Sequence, residues 1–88
     1  MSIQKTLLIT GAGSGFGRAL FHAGLKAGHT VVGTVRRGKD RDELEALSPD
    51  GRSQAVILDV TDLSAIDVTV AALERKVGAI DVLINSAG

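Results

Sequence analysis

The chain has no cysteine. That excludes a disulfide framework, a thiolate metal site and a thiol nucleophile. It has no tyrosine, no tryptophan and two phenylalanines, so no phenol within these residues can act as a catalytic acid or base. It carries no net charge, ten Lys plus Arg balancing ten Asp plus Glu. A broad basic field is therefore missing, and neither nucleic acid nor an anionic membrane is an expected partner. Apolar runs such as 55–58 fall far short of the roughly 20 residues a membrane span needs. Residues 1–13 hold one Lys and a short apolar run leading into glycines, which makes a poor signal peptide; the expected localisation is cytoplasmic. The two histidines, His22 and His29, have no third ligand nearby, and no metal site is expected.

What is present is glycine, eleven residues of it in 88, with 44% apolar and 23% charged residues. The length allows one small domain, and the composition is that of a folded globular chain. Strand-like and helix-like segments alternate. Residues 6–10 (TLLIT) form a short apolar run ending in glycines, which predicts a buried strand. Over 15–27 the spacing turns helical, with Phe16, Leu20, Ala23 and Ala27 on one face and the Phe16 ring in the core. Gly28 follows as a helix stop. Residues 30–35 are a second, β-branched strand. Asp40 with Glu43 predicts a capping pair opening a short helix through Leu47. Residues 48–51 (SPDG) form a turn, and 54–58 a third strand. Thr61 is placed to cap a helix in which Leu63, Ile66, Val70, Leu73 and Val77 recur at helical spacing. Gly78 ends that helix, and 80–84 is a fourth strand.

Such β-α-β-α-β-α-β alternation implies a parallel sheet with right-handed crossovers. With strands in the order 3-2-1-4, the first two helices share one face and the third covers the other. The order then reverses beside the first strand and opens a crevice at its carboxyl end. The fourth strand would be an apolar edge, an aggregation hazard when uncovered. The isolated chain is accordingly expected to be marginal or self-associating.

The glycines Gly11, Gly13, Gly15 and Gly17 stand at every second position between the first strand and the first helix. Glycines let a backbone approach a pyrophosphate, and a helix N-terminus offers free N–H groups and a positive dipole end. The GxGxxG pattern fails, because the third glycine position is Phe16 counted from Gly11 and Arg18 counted from Gly13. The P-loop pattern fails for want of a Gly-Lys pair. GxxxGxG at Gly11, Gly15 and Gly17 fits.

On these residues the chain resembles the N-terminal part of a short-chain dehydrogenase/reductase. Thr10 to Gly17 matches that family's TGxxxGxG loop, Asp59-Val60 follows the third strand, and Asn85-Ser86-Ala87-Gly88 is similar to its NNAG motif, with Ser86 in place of the second Asn. The resemblance runs over essentially all 88 residues. It implies a Rossmann-type doubly wound α/β sheet truncated after strand 4, with 1–88 as the N-terminal part of a single NAD(P)-binding domain. It implies hydride transfer between a nicotinamide and a small-molecule carbonyl or alcohol substrate, and a homo-oligomer at full length. The family's catalytic Ser, Tyr and Lys have no counterparts here, so no catalytic residue is assigned, and the chain alone is expected to be inactive.

The resemblance also implies cofactor-binding residues. Gly11, Ser14, Gly15 and the Phe16 N–H would face the pyrophosphate, while Gly17 would permit close helix packing. Asp59 would accept from the adenine amino group beside the Val60 backbone, or else cap the third helix. Asn85 would touch the ribose side of the cofactor, or would only order the end of the fourth strand, and Ala87 would be a further cofactor-binding residue. At the end of the second strand, where NAD enzymes place an acid for the ribose 2′-OH, stands Val35, followed by Arg36 and Arg37. With no carboxylate before Asp40, two arginines favour the 2′-phosphate of NADP(H) over NAD(H). Their alternative is as solvated charges, paired with Asp40 or Asp42. A non-catalytic nucleotide-binding or sensing module is a second reading. A response-regulator-like domain ranks last, because the first strand ends in glycines rather than acids.

Overall fold

The computed structural model describes residues 3–48, 50–59 and 63–86. Four strands, β1 (Thr6–Thr10), β2 (Thr30–Val35), β3 (Ser53–Ile57) and β4 (Val82–Asn85), alternate with three helices, α1 (Gly15–Lys26), α2 (Gly38–Glu45) and α3 (Leu63–Val77). The sheet is parallel throughout, in the order β3-β2-β1-β4. Leu8 stands level with Val32 on one side and Leu83 on the other. The expected topology holds, and so does the split of helices between the two faces.

Alternation along the strands builds two cores. Ile9, Val31, Val35 and Ala55 point to the face where Phe21 of α1 and Leu44 of α2 pack, with Ala12 of the following loop. Leu8 and Val32 point the other way, against Leu73 of α3, with Val56, Val70, Val77 and Ile80 half-buried around them. The α3 face is the thinner, since one helix must cover it. β4 lies at the sheet edge, and Leu83 remains exposed.

The buried face of α1 differs from the expected one. Phe16 is 73% exposed, Ala23 and Ala27 are exposed, and Leu20 is half-buried. The buried positions are Gly17, Phe21 and Gly24, which keep the i, i+4, i+7 spacing of a helical face. Two of these are glycines, which a count of apolar side chains overlooks. They bring the helix backbone down on the sheet: a Cβ on Gly24 would lie 2.8 Å from Val31 Cγ2 and 3.0 Å from Leu7 Cδ1. Phe16, at the first turn, is rotated away from the core. The stop at Gly28 holds. Its φ is +93°, its N–H donates to Leu25 O and that of His29 donates to Gly24 O, the paired closure of a helix by a left-handed residue.

The expected cap of α2 is corrected. The helix begins at Gly38, with extended Arg37 before it, and Asp40 lies inside the first turn. There its charge faces the positive end of the helix, and its carboxylate accepts from Arg37 Nε at 3.2 Å. Glu43 instead pairs with Arg18 of α1. The helix ends at Glu45 rather than Leu47. β3 runs one residue earlier than expected, and β4 begins two residues later and includes Asn85. The turn closes with the Gly51 N–H donating to Ser48 O. Pro49 and the Thr61 cap lie outside the described residues, as does the Leu63 side chain.

Arg52, at the start of β3, pins the far end of α1. Its Nη1 donates to Leu25 O at 3.2 Å and to His29 O at 3.3 Å, while its Nε holds Asp50 at 2.9 Å. The buried Ser53 hydroxyl accepts from the Ser48 N–H and donates to Glu45 O, closing the α2–β3 connection.

Candidate functional site

The carboxyl ends of the strands gather the glycine loop, the β2–α2 joint and the tail of β4. The loop is fastened from β2. The Thr34 hydroxyl accepts from the Gly11 N–H at 3.0 Å, and Thr34 O accepts from the Ala12 N–H at 2.8 Å. It is fastened from α1 as well, where Arg18 Nη1 donates to Gly13 O at 3.2 Å while Nη2 holds Glu43. The third anchor is β4. The Thr10 hydroxyl donates to Asn85 Oδ1 at 2.9 Å, and the Ser86 hydroxyl donates to Thr10 O.

This anchoring leaves the start of α1 open. Ser14 is its extended N-cap residue, and the Ser14 hydroxyl makes no capping bond. No acidic residue lies in the first turn. Around Gly15, whose φ is +60°, a Cβ would meet no other group within 4 Å. The start of α1 thus carries neither a side-chain cap nor an acid at its positive dipole end, an arrangement suited to an anion. Gly17 has the opposite surroundings. A Cβ there would run into the Gly11 carbonyl and the Ser86 hydroxyl, so the packing role expected of Gly17 holds.

Beside the loop lies a cleft of about 440 Å3, lined by Gly11, Gly13, Ser14, Val35, Arg36, Arg37 and Asp40. A second hollow of about 260 Å3 adjoins it, lined by Arg36, Ile57, Leu58 and Asp59. Arg36 lines both. Among the described residues no hydrogen bond or ion pair holds Arg36, whereas Arg37 is engaged by Asp40 and Arg41 by Asp42. Of the two arginines, the pairing alternative therefore holds for Arg37. On the α3 face a mostly apolar cavity of about 280 Å3 reaches from Leu8 and Leu73 to Thr10, Thr34 and Asn85.

Of the expected site residues, Gly11, Ser14, Arg36 and Arg37 line the cleft and Asp59 lines the adjoining hollow; Gly15 and Phe16 stand at the start of α1, and Asn85, at the end of β4, lines the cavity on the α3 face. Val60 and Ala87 lie outside the described residues. Three contributors escaped the sequence. Thr34 is a polar residue inside a β-branched run, and its burial is the signal that a hydroxyl there holds something. Arg18, in the first turns of α1, reaches back to the loop while its other nitrogen holds Glu43 of α2. Asp40 lines the cleft because α2 begins two residues earlier than its expected cap. Among the described residues no group of histidines and acids could hold a metal ion, and no helix is long and apolar enough to cross a membrane.

A parallel 3-2-1-4 sheet with a glycine loop between its first strand and helix defines a Rossmann-type nucleotide-binding fold. The family model for short chain dehydrogenases matches residues 5–88. The chain is 42% identical over 88 residues to the serine 3-dehydrogenase of Agrobacterium fabrum, covering 98% of this chain and 34% of that protein. It is 38% identical over 85 residues to the meso-2,3-butanediol dehydrogenase of Serratia marcescens, covering 97% of this chain and 34% of that protein. A crystal structure of a short-chain dehydrogenase from Streptomyces avermitilis superposes with a TM-score of 0.90 at 50% identity, over 97% of this chain and 31% of that one. The chain belongs to the short-chain dehydrogenase/reductase family, and it spans about a third of the length of the curated relatives it matches.

Proposed function

We propose that residues 1–88 form the NADP(H)-binding part of a single Rossmann-type domain, in an oxidoreductase that moves a hydride between the nicotinamide and a carbonyl or alcohol. The nicotinamide supplies the hydride chemistry when bound, and this chain's residues bind and orient the nucleotide. The open N-terminus of α1, with Gly11, Ser14, Gly15 and the Phe16 N–H, takes the pyrophosphate. Asp59 and the backbone of Val60 take the adenine. Asn85, which holds its place through Thr10, is assigned to the ribose side of the cofactor, and Ala87 is assigned to cofactor binding. Proton transfer to the substrate oxygen is assigned to no residue of these 88.

The observation that carries the choice of NADP(H) is Arg36. It is unengaged among the described residues, it lines both the cleft beside the glycine loop and the hollow that holds Asp59, and it follows an apolar Val35 where an NAD site would hold an acid. A guanidinium there can meet a 2′-phosphate through paired hydrogen bonds. Calorimetric titration of 2′,5′-ADP against 5′-AMP tests this. Wild type is expected to favour 2′,5′-ADP, and Arg36→Ala to lose about 1.5–3 kcal/mol of that binding, the scale of a hydrogen bond to a charged group. Equal wild-type affinities for the two nucleotides refute the assignment.

A further inference from the structure

The two halves of the glycine loop are held by different partners. The N–H groups of Gly11 and Ala12 donate to Thr34, so β2 sets the planes of those two peptides. The Gly13 carbonyl accepts from Arg18 Nη1 at 3.2 Å, and among the described residues no other group donates to it. The same guanidinium reaches Glu43 of α2 with Nη2, also at 3.2 Å. Both side chains are partly exposed, so their attraction is screened and small in itself. The geometry gives the pair its use. Glu43 takes one arm of a rigid planar fork, and the other arm stays on the loop.

The peptide joining Gly13 to Ser14 is planar and trans, so its C=O and N–H point in opposite directions. Turning the Gly13 carbonyl toward Arg18 therefore turns the Ser14 N–H away from it. That N–H donates to no acceptor among the described residues, and Gly13 and Ser14 both line the cleft. An inverted plane would present a carbonyl oxygen in place of the N–H and would repel an anion. Gly13 has no side chain, and its own backbone restrains that plane weakly. We infer that Arg18 is a positioning residue: braced by Glu43, it holds the Gly13 carbonyl and so keeps the Ser14 N–H presented to a diphosphate at the loop. Arg18 acts through that peptide and not as a ligand of the anion. This inference rests on the assignment of the loop to the pyrophosphate.

The test titrates ADP-ribose, which carries the pyrophosphate without a nicotinamide, into the protein in its full encoded length. Affinity is read by calorimetry, and the Ser14 amide by NMR of serine-labelled protein. In wild type the Ser14 amide proton is expected to move downfield on binding. Arg18→Met keeps the length of the side chain and removes its donors. It is expected to weaken ADP-ribose about tenfold, the scale of one hydrogen bond to a charged group, and to abolish most of the Ser14 shift. The Ser53 amide, at the start of β3, is expected to stay in place. Glu43→Gln releases the brace and should weaken binding about two- to fourfold, the scale of an exposed ion pair. It carries the test if the Met variant does not fold. Unchanged affinity with an unchanged Ser14 shift in Arg18→Met overturns the inference. Tighter binding by Glu43→Gln overturns it too, because the freed guanidinium would then be acting on the anion directly. So does a Ser53 amide displaced as far as that of Ser14, the mark of a general disturbance of the fold. Failure of the pyrophosphate assignment has its own signature: wild type that binds no ADP-ribose and shows no Ser14 shift.

Discussion

Replacing Gly17 with alanine opposes two effects of known sign. Gly17 is a helical residue with no positive φ, so alanine meets no backbone strain, and helix propensity alone predicts a gain of about 1 kcal/mol. The surroundings predict the reverse. The new methyl would lie 2.9 Å from the Gly11 carbonyl carbon and in collision with the Gly11 oxygen and the Ser86 hydroxyl. Gly11 is backbone in the loop itself, tied to Thr34, and cannot swing aside as a side-chain end can. Overpacking of this kind costs about 1–3 kcal/mol. Displacing Ser86 from Thr10 O removes a hydrogen bond of about 1 kcal/mol as well. We expect a net loss of about 1–3 kcal/mol in urea unfolding followed by circular dichroism. We also expect a fall of at least about tenfold in 2′,5′-ADP affinity, because loop and helix must separate where the pyrophosphate would sit. Adding Ser86→Gly should recover only part of the loss, since the Gly11 carbonyl remains. A Gly17→Ala protein as stable as wild type or more so, with undiminished binding, would refute the close-approach argument.

The two phenylalanines should part company in the same unfolding assay. Phe21→Ala empties a fully buried site and is expected to cost about 3–5 kcal/mol. Phe16→Ala alters an exposed ring and should stay within about 0.5 kcal/mol; comparable losses would contradict the observed rotation of α1. The Asp50 carboxyl is held down from 3.8 to about 2, chiefly by the Ser48 hydroxyl and then by Arg52. A carboxyl lowered on folding contributes stability above its unfolded value and loses it as pH falls through its folded one. Wild type should therefore lose stability relative to Asp50→Asn between about pH 4 and pH 2, read as unfolding free energy against pH. Parallel curves would show that the turn does not hold the charged form.

The sequence alone was enough for the element order, the parallel 3-2-1-4 sheet, the stops at Gly28 and Gly78 and the family. These follow from local periodicity, from glycine and β-branched patterning, and from motifs whose spacing is written along the chain. Arg36 was singled out by the sequence too, because it follows Val35 rather than an acid, and the fold sets it on the cleft beside the glycine loop. Tertiary structure decided which face of α1 is buried. A glycine has no side chain to register as apolar, and its value at positions 17 and 24 is the closeness it allows to atoms far along the chain. It separated the two arginines, since Arg37 finds Asp40 only once α2 has started at Gly38. It joined Thr34, Asn85 and Ser86 to the glycine loop across as many as 76 positions. Periodicity reports the face a residue presents; whether a charge in a shared cleft is matched or opposed depends on distances that only the folded chain sets.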